Sequence, residues 1–91
     1  MNKNIIKLET RRGLYKLISK NPGLHLQEIC RRTNIPNTTL RYHLNFLKKN
    51  GLITEKSEDY YNRYYISNKI GVKDKKILHL LRAAFSGEFS D

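Results

Sequence analysis

Apolar residues along this chain recur first at helical spacing and then at strand spacing. Leu14, Leu17 and Ile18 form one i, i+3, i+4 stripe, and Leu26, Ile29 and Cys30 form a second. Leu40, Leu44 and Leu47, with His43 beside them, form a third. Each stripe marks the buried side of a helix. Thr10 is a suitable N-cap for the first helix, although a start as early as Asn4 also fits the pattern. Gly13 weakens its interior slightly, and Asn21-Pro22-Gly23 stops it. Leu24 to Leu26 reads as short and extended. His25 stands at the N-cap of the second helix, with Glu28 three residues on, where Ser or Thr would be the stronger choice. Asn34-Ile35-Pro36-Asn37 is a turn whose one apolar residue, Ile35, plugs the space between two helices. Pro36 or Asn37 starts the third helix, with Asn37 a possible cap, and Gly51 ends it through left-handed geometry.

After Gly51 the period changes. Leu52 to Lys56 and Tyr61 to Ser67 are rich in β-branched and aromatic residues, with a polar tip at Ser57 to Tyr60. This predicts a β-hairpin with Leu52 and Tyr65 facing inward. From Asn68 onward a further helix is predicted. Ile77, Leu81 and Ala84 lie in line, Leu78, Leu80 and Phe85 flank them, and Lys75, His79, Arg82 and Ser86 face the other way. The expected fold is mainly α with a small β-hairpin: a unit over residues 1–67, then a C-terminal helix over 68–91.

The third helix has a second face of different chemistry. Thr38, Arg41, Tyr42, Asn45 and Lys49 share it, and it carries no acid and no aliphatic residue. A solvated face needs only charge for solubility. A row of guanidinium, phenol, carboxamide, hydroxyl and ammonium groups suits base edges and phosphates. An ordinary wet face with basic bias is the competing reading. Charge placement favours the first. The 91-residue chain has a formal net charge of +10, and residues 1–50 carry eleven Lys and Arg against Glu9 and Glu28. The positive field sits on the helical part, where it draws polyanions. Arg31 and Arg32 close the second helix, a place equally suited to helix-dipole stabilisation and to phosphate contact.

Three segments together resemble the winged helix-turn-helix superfamily over about residues 8–67. They are Asn21-Pro22-Gly23-Leu24-His25, Thr39-Leu40-Arg41-Tyr42-His43-Leu44 and Asn50-Gly51-Leu52-Ile53. The likeness is to archaeal winged-helix regulators, cousins of the ArsR and MarR groups. It implies a sequence-specific regulator of transcription that binds double-stranded DNA, usually as a homodimer. It places the third helix, about 37–50, in the major groove, and the hairpin, about 52–67, on the backbone or minor groove. By position it makes Asn37, Thr38, Thr39, Arg41, Tyr42 and Asn45 groove residues, and Arg63 the wing arginine. Two features depart from the pattern. Glu58 and Asp59 occupy the wing tip, where a phosphate-facing wing favours bases. The stretch Lys75 to Arg82 resembles the first helix of a second unit as much as a dimerisation helix.

Other chemistries find little support in the sequence. One cysteine excludes an internal disulfide framework and suits a reducing compartment. Ile5 and Ile6 are followed at once by Lys7 and no run approaches roughly 20 apolar residues, so neither a signal peptide nor a membrane span is expected, and the expected location is cytoplasmic. No metal site is expected within the chain. His25 and Cys30 are poorly aligned, Cys30 sits on an apolar stripe and His43 flanks one, which leaves only a site between subunits involving His79. No phosphate loop, acid pair or nucleophile-base context suggests an enzyme, and no cofactor or small-molecule ligand is expected. The alternative is a winged-helix module that binds RNA or mediates protein contacts. An RNA binder would set out aromatics for base stacking, for which Tyr60, Tyr61 and Tyr64 are the candidates.

The apolar sector of the last helix is too broad for a small monomer to leave uncovered. A two-fold dimer through Ile77, Leu78, Leu81, Ala84 and Phe85 is expected. Sedimentation should give a dimer for the parent chain and a shift towards monomer for Leu81→Glu; a monomeric parent removes the arrangement.

Overall fold

The computed structural model describes residues 3–67, with side chains from Lys7 onward. The elements run α1 (Lys3–Lys20), β1 (Leu24–His25), α2 (Leu26–Thr33), α3 (Asn37–Lys49), β2 (Ile53–Glu58) and β3 (Tyr61–Ile66). The C-terminal helix expected over 68–91, with its interface at Ile77, Leu78, Leu81, Ala84 and Phe85, lies outside the described residues.

α1 reaches back to Lys3, so Thr10 lies inside the helix and is not its cap. Contact with α3 supports this early part of the helix, since Lys7 and Arg11 both reach α3 side chains. The helix ends as Asn21 donates from both its backbone and its side-chain nitrogen to the Leu17 carbonyl. Gly23 then turns the chain with φ +91, and its N–H donates to the Tyr64 carbonyl. A Cβ there would also meet the Tyr65 hydroxyl at 3.4 Å.

α2 starts as the sequence anticipates. His25 is the N-cap. Its Nδ1 accepts from the Glu28 backbone N–H, and the Glu28 carboxylate accepts from the His25 backbone, a complete capping box. Asn34 closes the helix in the left-handed region at φ 59, a conformation that asparagine tolerates better than most residues. The Thr33 hydroxyl steadies the turn, donating to the Ile29 carbonyl and accepting from the Ile35 N–H. The cap of α3 is Pro36, not Asn37. The Pro36 carbonyl takes the first helical bond from Leu40, and no side chain caps the end. Asn37 is instead the first helical residue.

The strands form one antiparallel sheet in the order β1-β3-β2. Leu24 and His25 pair with Tyr64 and Arg63, so the segment before α2 is stitched to the far strand of the hairpin. In the hairpin, Ile53 pairs with Ile66 and Glu55 with Tyr64. Because side chains alternate across a strand, this register sends Tyr64 inward beside Ile53. The inward tyrosine is therefore Tyr64, 6% exposed, and not Tyr65. Tyr65 lies on the outer face, where its hydroxyl donates to Glu58 and Lys56 stands over its ring. The expected four-residue tip is only Asp59-Tyr60, with φ of 51 and 69. Positive φ at both central residues is the requirement of a type I′ two-residue hairpin turn.

The core gathers Leu14, Tyr15 and Ile18 of α1, Leu24, Ile29 of α2, Leu40, Leu44 and Leu47 of α3, then Leu52, Ile53 and Tyr64. Leu8, Leu17, Leu26, Cys30, Ile35 and Phe46 pack around it, half-buried. Leu44 sits in this core on the same face as Leu40 and Leu47. Leu44→Ala should cost about 2–5 kcal/mol of stability, read as a lowered midpoint in a urea titration. Any loss of ligand binding should follow that unfolding.

Candidate nucleic-acid interface

α3 lies between α1 on one flank and the hairpin on the other. Its buried side is Leu40, His43, Leu44 and Leu47. At about 100° per residue, Thr38, Asn45 and Lys49 point directly away from that side, and all three are exposed. Arg41 falls on the hairpin edge, close enough to Tyr64 for its charge to act on the phenol. Burial is the larger influence there and raises the Tyr64 pKa, and Glu55 adds to it. Tyr42 falls on the α1 edge, about half exposed, where its hydroxyl accepts from Lys7 at 3.2 Å.

Local bonds brace this face. Arg41 Nε donates to Asn37 Oδ1 at 2.7 Å, one helical turn back. That bond sets the direction of the guanidinium, and gives Asn37 a positioning task in place of capping. Lys48 Nζ pairs with Glu55 at 2.8 Å, tying the end of α3 to β2. Thr39 is exposed and turned further round toward α1.

The structure brings Asn37, Thr38, Thr39, Arg41, Tyr42, Asn45 and Lys49 onto one exposed surface. Arg31 and Arg32 are exposed at the end of α2, and Arg32 makes a long 3.5 Å contact with Asn21. Arg63 is not at the wing tip. It lies half-buried in β3, and its Nη1 donates to the Gly23 carbonyl at 2.8 Å. Of the tyrosines considered for base stacking, Tyr64 is buried and Tyr61 is already stacked on His25 at 4.4 Å. Tyr60 alone of the three stands fully exposed.

Two cations at this site are absent from the sequence-based set. Lys7 and Arg11, one helical turn apart on α1, reach the α1 edge of α3. Their i, i+4 spacing was visible in the sequence, but nothing there showed which face of α1 meets α3. Arg11 Nε donates to His43 Nδ1 at 3.2 Å, and its guanidinium lies 3.6 Å from the Phe46 ring centroid. Bond and stack together fix that arginine. Burial pushes the His43 pKa down, and the charges of Arg11 and Lys7 push it further. The Lys7 hydrogen bond and charge lower the Tyr42 pKa.

Among the described residues no three His, Cys, Asp or Glu side chains converge as a metal site. His25 is committed to its cap and its stack, and Cys30 is a free thiol packed against the core. No described helix is long and apolar enough to cross a membrane.

Two helices joined by a tight turn, with an exposed polar third-helix face and a hairpin closing the sheet beside it, define a winged helix-turn-helix domain. The chain belongs to the winged helix-turn-helix DNA-binding family, whose model matches residues 7–54. Two proteins of Methanocaldococcus jannaschii, each described as an uncharacterized HTH-type transcriptional regulator, are similar to it. One is 40% identical over 73 residues, covering 79% of this chain and 18% of that protein. The other is 35% identical over 57 residues, covering 63% of this chain and 64% of that protein. The crystal structure of the transcriptional regulator SlyA shares the fold, with a TM-score of 0.63 at 16% identity, over 88% of this chain and 57% of that one. This chain thus spans less than two thirds of each of these proteins.

The lowered His43 pKa has a consequence for stability. The unfolded chain takes up a proton on this imidazole at a higher pH than the folded chain does. The contribution is complete above the unfolded value of about 6.5 and is lost as pH falls below it. Melts between neutral and mildly acidic pH should show the parent losing stability faster than His43→Gln. Overlaid profiles would mean that His43 does not carry the effect.

Proposed function

We propose that this chain is the operator-reading part of a sequence-specific regulator of transcription that binds double-stranded DNA. One observation carries the reading: the outward face of α3 is free of acids and aliphatics, yet held rigidly by a buried opposite face. Lysines and arginines displace counterions from the phosphates. α3 then enters the major groove. Arg41, aimed by Asn37, takes a guanine through O6 and N7, and Asn45 takes an adenine through N6 and N7. Thr38, Thr39 and Tyr42 contact a thymine methyl or the backbone, and Lys49, Arg31 and Arg32 hold phosphates. Arg63 supports the wing and offers it a charge. The acidic wing tip keeps the hairpin on the rim of the groove.

The same proposal includes a homodimer, with residues 68–91 as the joining element, which sets two α3 helices about 34 Å apart on successive major grooves. It also includes kinship with the ArsR and MarR groups and a cytoplasmic, reducing setting.

The test begins with selecting a preferred duplex from a random pool. Arg41→Ala should shift folding stability by no more than about 0.5 kcal/mol. It should cost about 1–3 kcal/mol in binding to that duplex and relax the preference at one base pair. Lys49→Ala should weaken selected and scrambled duplexes alike and reduce the salt slope by about one. Arg41→Ala that melts normally and keeps full affinity and preference would remove α3 as the reader. A flat dependence of parent affinity on salt would remove the nucleic-acid reading altogether.

A further inference from the structure

Among the described residues, the seam between α1 and α3 concentrates cations without an acidic partner on either helix. Lys7 Nζ is 3.2 Å from the Tyr42 hydroxyl and 5.3 Å from the centre of its ring. The Arg11 guanidinium lies 5.5 Å from the same ring centre. α3 contains no acid, and the single acid of α1, Glu9, falls about 200° around the helix from Lys7. Glu9 lines a shallow depression with Leu17, Arg32 and Ile35, on the side of α1 away from α3. The Tyr42 ring and hydroxyl attract each cation, but two like charges placed so close also repel each other. An anion lying between them turns that repulsion into attraction.

The donors left over are suited to such an anion. Tyr42 accepts from Lys7, so its own O–H is free to donate outward, and the side chain is about half exposed. Arg11 spends Nε on His43 and one face of its plane on Phe46. The charge and a side-chain hydrogen bond of Arg11 also act on the Tyr42 hydroxyl, and a guanidinium carries four terminal N–H donors, more than that one contact uses. Bond and stack hold this guanidinium before any ligand arrives, which lowers the entropy lost on binding. Lys7 adds two further ammonium hydrogens. Ammonium, guanidinium edge and phenol hydroxyl converge beside the outward face of α3, on the flank opposite the hairpin.

We propose that Lys7, Arg11 and the Tyr42 hydroxyl form a phosphate-binding subsite that grips the duplex backbone along the α1 flank of the recognition helix. The proposal rests on α3 being the DNA reader and adds a second clamp on the side away from the wing. The wing tip carries Glu58 and Asp59, so the wing supplies little phosphate affinity there. The α1 flank takes that part. His43 is a positioning residue here: its Nδ1 holds Arg11 and touches no ligand.

The test uses the full chain, the selected duplex and a set of duplexes in which single phosphates are replaced by neutral methylphosphonates. Lys7→Gln should lower the salt slope by about 0.9, the value of one lost contact, on selected and scrambled duplexes alike, and Lys7→Arg should restore it. Tyr42→Phe should lose about fivefold in affinity, the size of one ordinary net hydrogen bond. One methylphosphonate position flanking the α3 footprint should weaken the parent and leave Lys7→Gln unchanged. A Lys7→Gln chain with the parental slope, or one that still responds to every methylphosphonate as the parent does, overturns the subsite. Inorganic phosphate that displaces the Tyr42 signals as readily as duplex does would make this a free-anion site and overturn it too. The outcomes separate cleanly. A parent that fails to bind duplex defeats the DNA-reading function. Loss of binding in Arg41→Ala with none in Lys7→Gln leaves the reader standing without the subsite.

Discussion

Four side chains on one side of α3 must be buried, and the remainder of the domain is built to bury them. Leu40, Leu44 and Leu47 are at most 1% exposed, and His43 lies among them. α1 supplies Leu14, Tyr15 and Ile18 to cover them, and the hairpin supplies Leu52, Ile53 and Tyr64. A helix cannot bury one face without fixing the other. Once these four are inside, Thr38, Asn45 and Lys49 can only point out. The direction of the candidate reading surface therefore follows from hydrophobic burial, with no contact of its own required. His43 is the polar member of the buried set, and Arg11 from α1 meets its ring nitrogen. Part of the seam that positions α3 thus depends on an imidazole that stays neutral.

Much of this was legible in the sequence. The i, i+3, i+4, i+7 leucines identified α3 and its faces, because helical spacing maps directly onto burial. His25 and Glu28 marked the start of α2, and Gly51 the end of α3, because capping is local chemistry. Other features depend on partners distant in the chain. Thr10 looked like a cap, but contacts from α3 to Lys7 and Arg11 accompany a helix that begins at Lys3. The expectation of an inward Tyr65 fails because Tyr61, Tyr64 and Tyr65 offer no alternation of polar and apolar residues. Only the pairing of Glu55 with Tyr64 decides which tyrosine the core receives. The link of the wing arginine Arg63 to Gly23 spans 40 residues, so the spacing in the sequence does not reveal it. The place of Lys7 and Arg11 at the site rests on contacts of the same long range.

The hairpin is joined to the helices by side-chain links as well as by strand pairing. Arg63 holds the Gly23 carbonyl, Tyr61 stacks on the ring that caps α2, and Glu55 holds Lys48 at the end of α3. β1 is only two residues long, but it joins the sheet immediately before α2 begins. The outward surface of α3 and the hairpin beside it therefore form one connected frame. His25 serves this frame twice, as the cap of α2 and as a stacking partner of β3. Serine could perform the first task but not the second, which accounts for an unusual N-cap residue.

The polar turn at Glu58 and Asp59 also shapes the protein's behaviour before any contact forms. Most of the excess positive charge belongs to α1, the end of α2 and α3, whereas residues 51–68 carry three acids against Lys56 and Arg63. The domain is therefore an electric dipole as well as a cation. In the field of a long polyanion it experiences a torque as well as an attraction. Within about a Debye length, roughly 8–10 Å at moderate salt, that torque turns the basic helices inward and the hairpin tip outward. Collisions that would otherwise be wasted in wrong orientations are corrected during approach, which raises the association rate without a matching change in the dissociation rate. Two acidic residues that weaken the hairpin as a clamp thus serve as the counterweight that orients the domain.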